Sequence, residues 1–292
     1  MSLSRTHPAW VPYFFIAPFL LIFSVFMVYP LVSSISMSAF QSYGPQFSTF
    51  VGLDNFKNVF LDPDFWTAVK NTLIYSCASV MIQLPLSLGL ALLLNRPDVK
   101  AKGFFRLIFF SPALVGLVFV AILFGLLLGA RDGLVNEVLR QVIPGFPAEF
   151  FWLQRYVMPA LIIASLWIYV GFNMVYFLAA LQSINRDQIE AAMIDGANAV
   201  QRFVHVILPA IKPVAGFVVL LSIIGSLQLF ELPFILLGGA GPENRGLTLV
   251  MYLYQNGFEQ NDLGYASAIG WILAIFLMGI AIVHRRLTRE EL

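Results

Sequence analysis

Apolar residues in this chain run in long solid blocks, and the polar residues collect between them. Six blocks stand out: residues 13–37, 72–94, 107–129, 157–181, 214–237 and 265–283. A helix of about 20 mostly apolar residues crosses the hydrocarbon core of a bilayer. Lipid offers the backbone no hydrogen-bond partner, so each block must satisfy its own N–H and C=O groups, as a helix does. A barrel would need apolar–polar alternation over roughly ten residues per strand, and these blocks do not alternate. The pattern predicts an all-α integral membrane protein with six transmembrane helices. The first block is too long for a secretory signal, and no small-residue cleavage site follows it. Pro18, Pro30, Pro85, Pro112 and Pro233 interrupt the blocks; such breaks are tolerated where neighbouring helices or water take up the freed backbone groups.

Composition agrees. Of 292 residues, 59% are hydrophobic and 11% are charged, against roughly 25% charged in soluble domains. A soluble fold of this size has too little polar surface to cover so much apolar material. The net charge of +1 gives no footprint for nucleic acid. A single cysteine, Cys77, rules out an intrachain disulfide or a cysteine metal cluster. His7, His205 and His284 lie far apart in sequence and suggest no metal site.

Lys and Arg favour the cytoplasmic side of a membrane. With six spans both termini share one side. That side holds Arg5, Arg96, Lys100, Lys102, Arg106, Arg186, Arg202, Lys212, Arg285, Arg286 and Arg289, eleven of the seventeen basic residues. The expectation is therefore a multi-pass membrane protein with both termini cytoplasmic. A short N-terminal segment (1–12) and tail (285–292) would flank a single transmembrane domain (13–284).

The inner loop 185–209 is longer than a connector needs and carries helix signals of its own. Asn185 is a good N-cap, with Gln188 placed as in a capping box. Asp187 and Glu190 fall in the first turn, where the helix dipole favours negative charge. Ile189, Ala192, Met193 and Ala197 form an apolar face. Gly196 is suited to end the helix in a left-handed conformation. A second short helix is expected over 199–208, stopped by Pro209. An amphipathic hairpin on the inner membrane surface and a docking element for a cytoplasmic partner both fit this pattern.

Glu190-Ala191-Ala192, three residues, Gly196, nine residues, then Val206-x-Leu208-Pro209 resembles the EAA loop of ATP-binding-cassette importer permeases; Val206 stands where that family usually has isoleucine. Phe50-Val51-Gly52-Leu53-Asp54-Asn55-Phe56, Phe65-Trp66, Asn71-Thr72 and Gly264-Tyr265-Ala266-Ser267-Ala268 extend the likeness to the carbohydrate branch, similar to maltose-type and glycerol-3-phosphate-type permeases. The resemblance implies a type I importer permease fold with a cytoplasmic coupling helix between helices four and five. It implies that Glu190, Ala191, Ala192, Asp195, Gly196 and Ala197 make the ATPase-coupling contact. It further implies a prokaryotic inner-membrane location, a second, different permease subunit as partner in a heterodimer, two cytoplasmic ATPase subunits that bind ATP and Mg, and an external solute-binding protein.

The chain has no G-x-x-x-x-G-K-[ST] phosphate loop, so it is expected to be no enzyme and to hold no cofactor of its own. Ion-driven transporters place several ionisable residues inside their spans. Here the blocks hold one, Glu231, about two-thirds along the fifth. Glu231 is read either as a pathway group that accepts sugar hydroxyls or pairs across a permease dimer, or as a structural acid near the interface. Tyr169, Phe172, Asn173, Gln228, Phe230 and Glu231 are the candidate substrate-pathway residues, since sugars need amide or carboxylate partners and flat aromatics. Trp167, Tyr176 and Ser226 join them as weaker candidates. The absence of basic residues from the blocks favours a neutral mono- or oligosaccharide, with glycerol 3-phosphate or a polyol as the alternative cargo. An autonomous secondary transporter or channel is the alternative function, and a membrane scaffold a third.

Overall fold

The structure is a computed structural model that describes residues 10–42 and 48–289. Residues 1–9, with Arg5 and His7, and residues 290–292 of the expected tail lie outside the described residues. The chain divides into two compact units, Met1–Asp62 with Leu253–Leu273, and Pro63–Tyr252 with Ala274–Leu292.

In the first unit the helix Tyr13–Met37 is the first span. Its regular ladder opens into a π-turn at Ser24–Val28, ahead of Pro30. Proline lacks an N–H and its ring crowds the carbonyl four residues back; a widened turn makes room for it. A short antiparallel hairpin follows, pairing Phe40 with Phe50 and Ser42 with Ser48. The helix Asp54–Leu61 is fixed to this hairpin by the buried Asn55, whose Nδ2 donates to the carbonyls of Ser38 and Phe40, each at 2.9 Å. The start of the last helix, Leu263–Arg289, completes the unit; Trp271 Nε1 donates to Ser34 Oγ of the first span at 3.2 Å.

The second unit holds the long helices Pro63–Asn95, Val157–Gln182 and Ala199–Leu227. Two apolar clusters form its core. The first joins Val120, Phe124, Leu161, Ile168, Leu232 and Leu236. The second joins Ala91, Leu94, Met174, Phe177, Leu181 and Val218.

Several elements differ from the expectation. The second span starts at Pro63, because proline at the first helical position and Asp64 in the first turn extend it beyond its apolar block. The third block is not one straight rod. It folds as Lys102–Leu114 and Leu117–Leu127, bent by 96°. Pro112 tightens the end of the first limb into a 3₁₀ turn, and Val115 and Gly116 are extended, so the hydrogen-bond ladder cannot cross the junction. The second loop helix is not stopped by Pro209. A π-turn at Phe203–Ile207 again precedes the proline, and the helix runs from Ala199 to Leu227. That helix ends before Glu231, which instead begins a separate helix, Glu231–Leu236, after a break at Gln228–Phe230.

Candidate functional site

Five polar residues recur at three- and four-residue spacing along the helix Pro63–Asn95: Thr72, Ser76, Ser79, Gln83 and Ser87. This spacing places them on one helix face, and all five are buried. Buried polar side chains need partners, and here the partners come from the neighbouring helices. Ser76 and Ser226 share a hydrogen bond through their hydroxyls. Ser87 Oγ reaches Val170 O at 2.9 Å. Gln83 Nε2 and Asn173 Nδ2 both reach Ser222 Oγ, at 3.5 and 3.2 Å. Thr72 Oγ1 accepts from Leu249 N at 3.0 Å.

Beside this network lies a cavity of about 260 Å³. It opens where the helices pass from the first apolar cluster to the second: Tyr75 belongs to the first cluster and Ala91 to the second, with Ser79 and Gln83 between them on the cavity wall. Tyr169, Phe172 and Asn173 come from Val157–Gln182, Ser222 and Ser226 from the end of Ala199–Leu227, Gln228 and Phe230 from the break that follows, and Glu231 from the start of the next helix. The lining combines hydroxyls, amides, aromatic faces and one carboxylate. No Lys or Arg is among the lining residues. Glu231 sits in the first turn of its short helix, where the dipole favours negative charge.

All six pathway candidates read from the sequence, Tyr169, Phe172, Asn173, Gln228, Phe230 and Glu231, border this one cavity, as does Ser226. Trp167 and Tyr176 do not. Trp167 packs on Phe124 at 6.0 Å, and Tyr176 meets Phe172 and Phe217 at 5.3 and 6.3 Å. Sequence reading missed Tyr75, Ser79, Gln83 and Ser222. The signal was available in the polar stripe of the second span, since a regular polar face on an otherwise apolar helix marks something polar beside it.

Close packing supports this wall. An added Cβ at Gly171, between cavity residues Tyr169 and Asn173, would lie 1.6 Å from the carbonyl oxygen of Phe109. The helix Val157–Gln182 thus meets the backbone of the first limb of the bent pair with no room for a side chain.

The loop residues form a separate, exposed feature. Asn185 caps the helix Arg186–Ile194 by accepting from Asp187 N at 3.0 Å. The reciprocal capping box forms one helix later, between Asn198 and Gln201. Gly196 has φ +80°, and Gly196 N and Ala197 N donate to the carbonyls of Met193 and Ala192. These are the paired bonds of a Schellman cap. Glu190, Ala191, Asp195 and Gly196 are exposed, and Ala192 and Ala197 half-buried. Met193 and Ile194 are bare apolar side chains, Ile194 at 87% exposure. Among the described residues no ion pair engages Glu190.

The family model for the binding-protein-dependent transport system inner membrane component matches residues 70–289. The arabinooligosaccharides transport system permease protein AraP of Bacillus subtilis is 39% identical over 279 residues, covering 95% of this chain and 88% of that protein. The lactose transport system permease protein LacF of Rhizobium radiobacter is 35% identical, covering 95% and 93%. A chain of a bacterial alginate ABC transporter, solved in complex with an alginate pentasaccharide-bound periplasmic protein, superposes with a TM-score of 0.83 at 26% identity, covering 96% of this chain and 94% of that one. Matched over most of its length by the family model and over nearly all of it by these relatives, the chain is a multi-pass inner-membrane permease subunit and belongs to the family of binding-protein-dependent transport system inner membrane components.

Proposed function

We propose that this permease carries a neutral sugar oligomer through the cavity between its two apolar clusters, driven by partner ATPase subunits acting on the helix Arg186–Ile194. The lining of the cavity is the observation that carries the cargo reading. Hydroxyls and amides of Ser79, Gln83, Asn173, Ser222 and Gln228 suit a ligand rich in hydroxyls, and Tyr169, Phe172 and Phe230 suit its apolar ring faces. A phosphorylated cargo would bring negative charge to a wall that has one carboxylate and no cation, where the Coulomb term is repulsive. The relatives named for arabinooligosaccharides and lactose point the same way.

The coupling role rests on the exposed loop. Glu190, Ala191, Ala192, Asp195, Gly196 and Ala197 lie on or just beyond one short helix whose apolar residues Met193 and Ile194 are exposed among the described residues. An ATPase cleft would cover them. The helix is joined through Asn198 and Ala199 to the long helix that ends at the cavity wall, so a push on the loop reaches the wall along a rigid rod. ATP does work here only if the ATPases bind one permease state better than the other. In this reading the loop and both termini are cytoplasmic, a second, different permease completes the pathway, and a solute-binding protein delivers cargo outside.

The test is uptake into liposomes holding the permease pair, the ATPases and the binding protein. ATP-dependent uptake of an arabinooligosaccharide or lactose in preference to glycerol 3-phosphate is expected. Preference for the phosphate ester would overturn the cargo reading. Accumulation by this polypeptide alone under an ion gradient would overturn the mechanism.

A further inference from the structure

The limb Lys102–Leu114 has no role in the cavity lining, yet its surface is unusual. Phe104, Leu107 and Ile108 share one helix face, with Phe105 beside them, and all four are exposed, Phe104 at 62%. Lys102 and Arg106, four residues apart, lie on the opposite side. Among the described residues this apolar face stays largely open. The limb is bent by 96° from Leu117–Leu127, so the two limbs cannot both run along the membrane normal. Helices with this division of faces, basic on one side and aromatic or aliphatic on the other, rest where acyl chains give way to headgroups.

The residues leading into the limb add to its charge. Arg96 is engaged by Asp98, through bonds of 3.0 and 2.8 Å. The Arg96 hydrogen bond holds the Asp98 carboxyl below its usual range, so this anion stays ionised at neutral pH and offsets Arg96. Lys100, Lys102 and Arg106 remain, without an ion-pair partner among the described residues. Arg96, Lys100, Lys102 and Arg106 against the one carboxylate of Asp98, which feels the charge of Lys102 as well as Arg96, leave three net positive charges beside the exposed apolar face.

We propose that this limb is a binding site for anionic phospholipid. Its aromatic face lies among the acyl chains, and Lys100, Lys102 and Arg106 engage the headgroup phosphate. Long basic side chains reach from an apolar surface to the headgroup level by extending their charged ends, and a phosphate offers each of them an acceptor. The fit is to a lipid and not to free phosphate, because only a lipid covers Phe104, Leu107 and Ile108 as well. This inference needs the membrane location alone and is independent of cargo or coupling.

The full chain, purified and offered equal phosphatidylglycerol and phosphatidylcholine, would be assayed by native mass spectrometry for retained lipid. Wild-type protein is expected to retain phosphatidylglycerol preferentially. Replacing Lys100, Lys102 and Arg106 together with Gln is expected to weaken that retention about a hundred-fold, roughly five-fold per cation, and to leave phosphatidylcholine unchanged. Lys57→Gln with Lys70→Gln, two exposed cations elsewhere, should have no effect, and Lys100→Arg with Lys102→Arg should keep the preference, which separates charge from misfolding. Equal retention by wild type and the triple variant, no preference in wild type, or displacement of the lipid by an equal concentration of inorganic phosphate would each overturn the proposal.

Discussion

Replacing Gly171 with alanine probes the packing that holds the cavity wall. The added Cβ would stand 1.6 Å from Phe109 O and 2.4 Å from Phe109 C, both backbone atoms, where ordinary contact begins at 3.4 Å. Side-chain rotation cannot relieve this overlap. The helix Val157–Gln182 and the limb Lys102–Leu114 must move apart by about 1.8 Å. Overpacking in a close-packed interior costs about 1–3 kcal/mol, and a clash between two backbones belongs at the upper end. About 3 kcal/mol is a factor of roughly 150 in the folded ratio and a fall of about 6–12 °C in apparent melting midpoint. Transport should suffer beyond the loss of folded protein, because Tyr169, Phe172 and Asn173 flank the displaced residue. Gly225→Ala is the control. Gly225 borders the same cavity, and a Cβ there meets nothing within 4 Å. Thermal melts of both variants in detergent, with uptake per folded molecule, make the comparison. A Gly171→Ala protein as stable and active as the Gly225→Ala protein would refute the close approach.

Gly196→Val places a β-branched residue at φ +80°, which costs about 1–2 kcal/mol and lowers the melting midpoint by about 2–8 °C; loss of ATPase co-purification and uptake by the protein that remains folded is expected, and normal uptake would count against the coupling role. Asn136 is fully buried and donates to the carbonyls of Gly129, Ala130 and Phe150 while accepting from Trp152. Asn136→Ala leaves several of these groups unpaired at about 1–3 kcal/mol each before water enters, so melts should show one of the larger losses of any single variant. Thr72→Val keeps the shape but strands the buried Leu249 N–H; a loss of about 1–3 kcal/mol is expected, and Thr72→Ser should recover most of it.

The membrane class, the approximate positions of the spans and the existence of the loop helix were legible in the residue pattern, because each follows from local rules: block length against bilayer thickness, backbone satisfaction in lipid, and cap residues at helix ends. Gly196 at the end of the loop helix is such a case. The six pathway candidates were found by residue type, and they do share one wall.

What local pattern leaves open is how a proline is absorbed and what lies across from a given face. Pro209 reads as a stop, yet the helix continues through a π-turn; Pro112 reads as a tolerated break, yet with Val115 and Gly116 it turns the chain by 96°. Glu231 reads as a residue within a span, yet the helix ends at Leu227, with three residues between that end and Glu231. Each outcome depends on packing with neighbouring helices, which a linear pattern does not contain. The same holds for Gln83, Asn173 and Ser222. Their polarity is visible in the chain, but their convergence exists only once three helices are packed together.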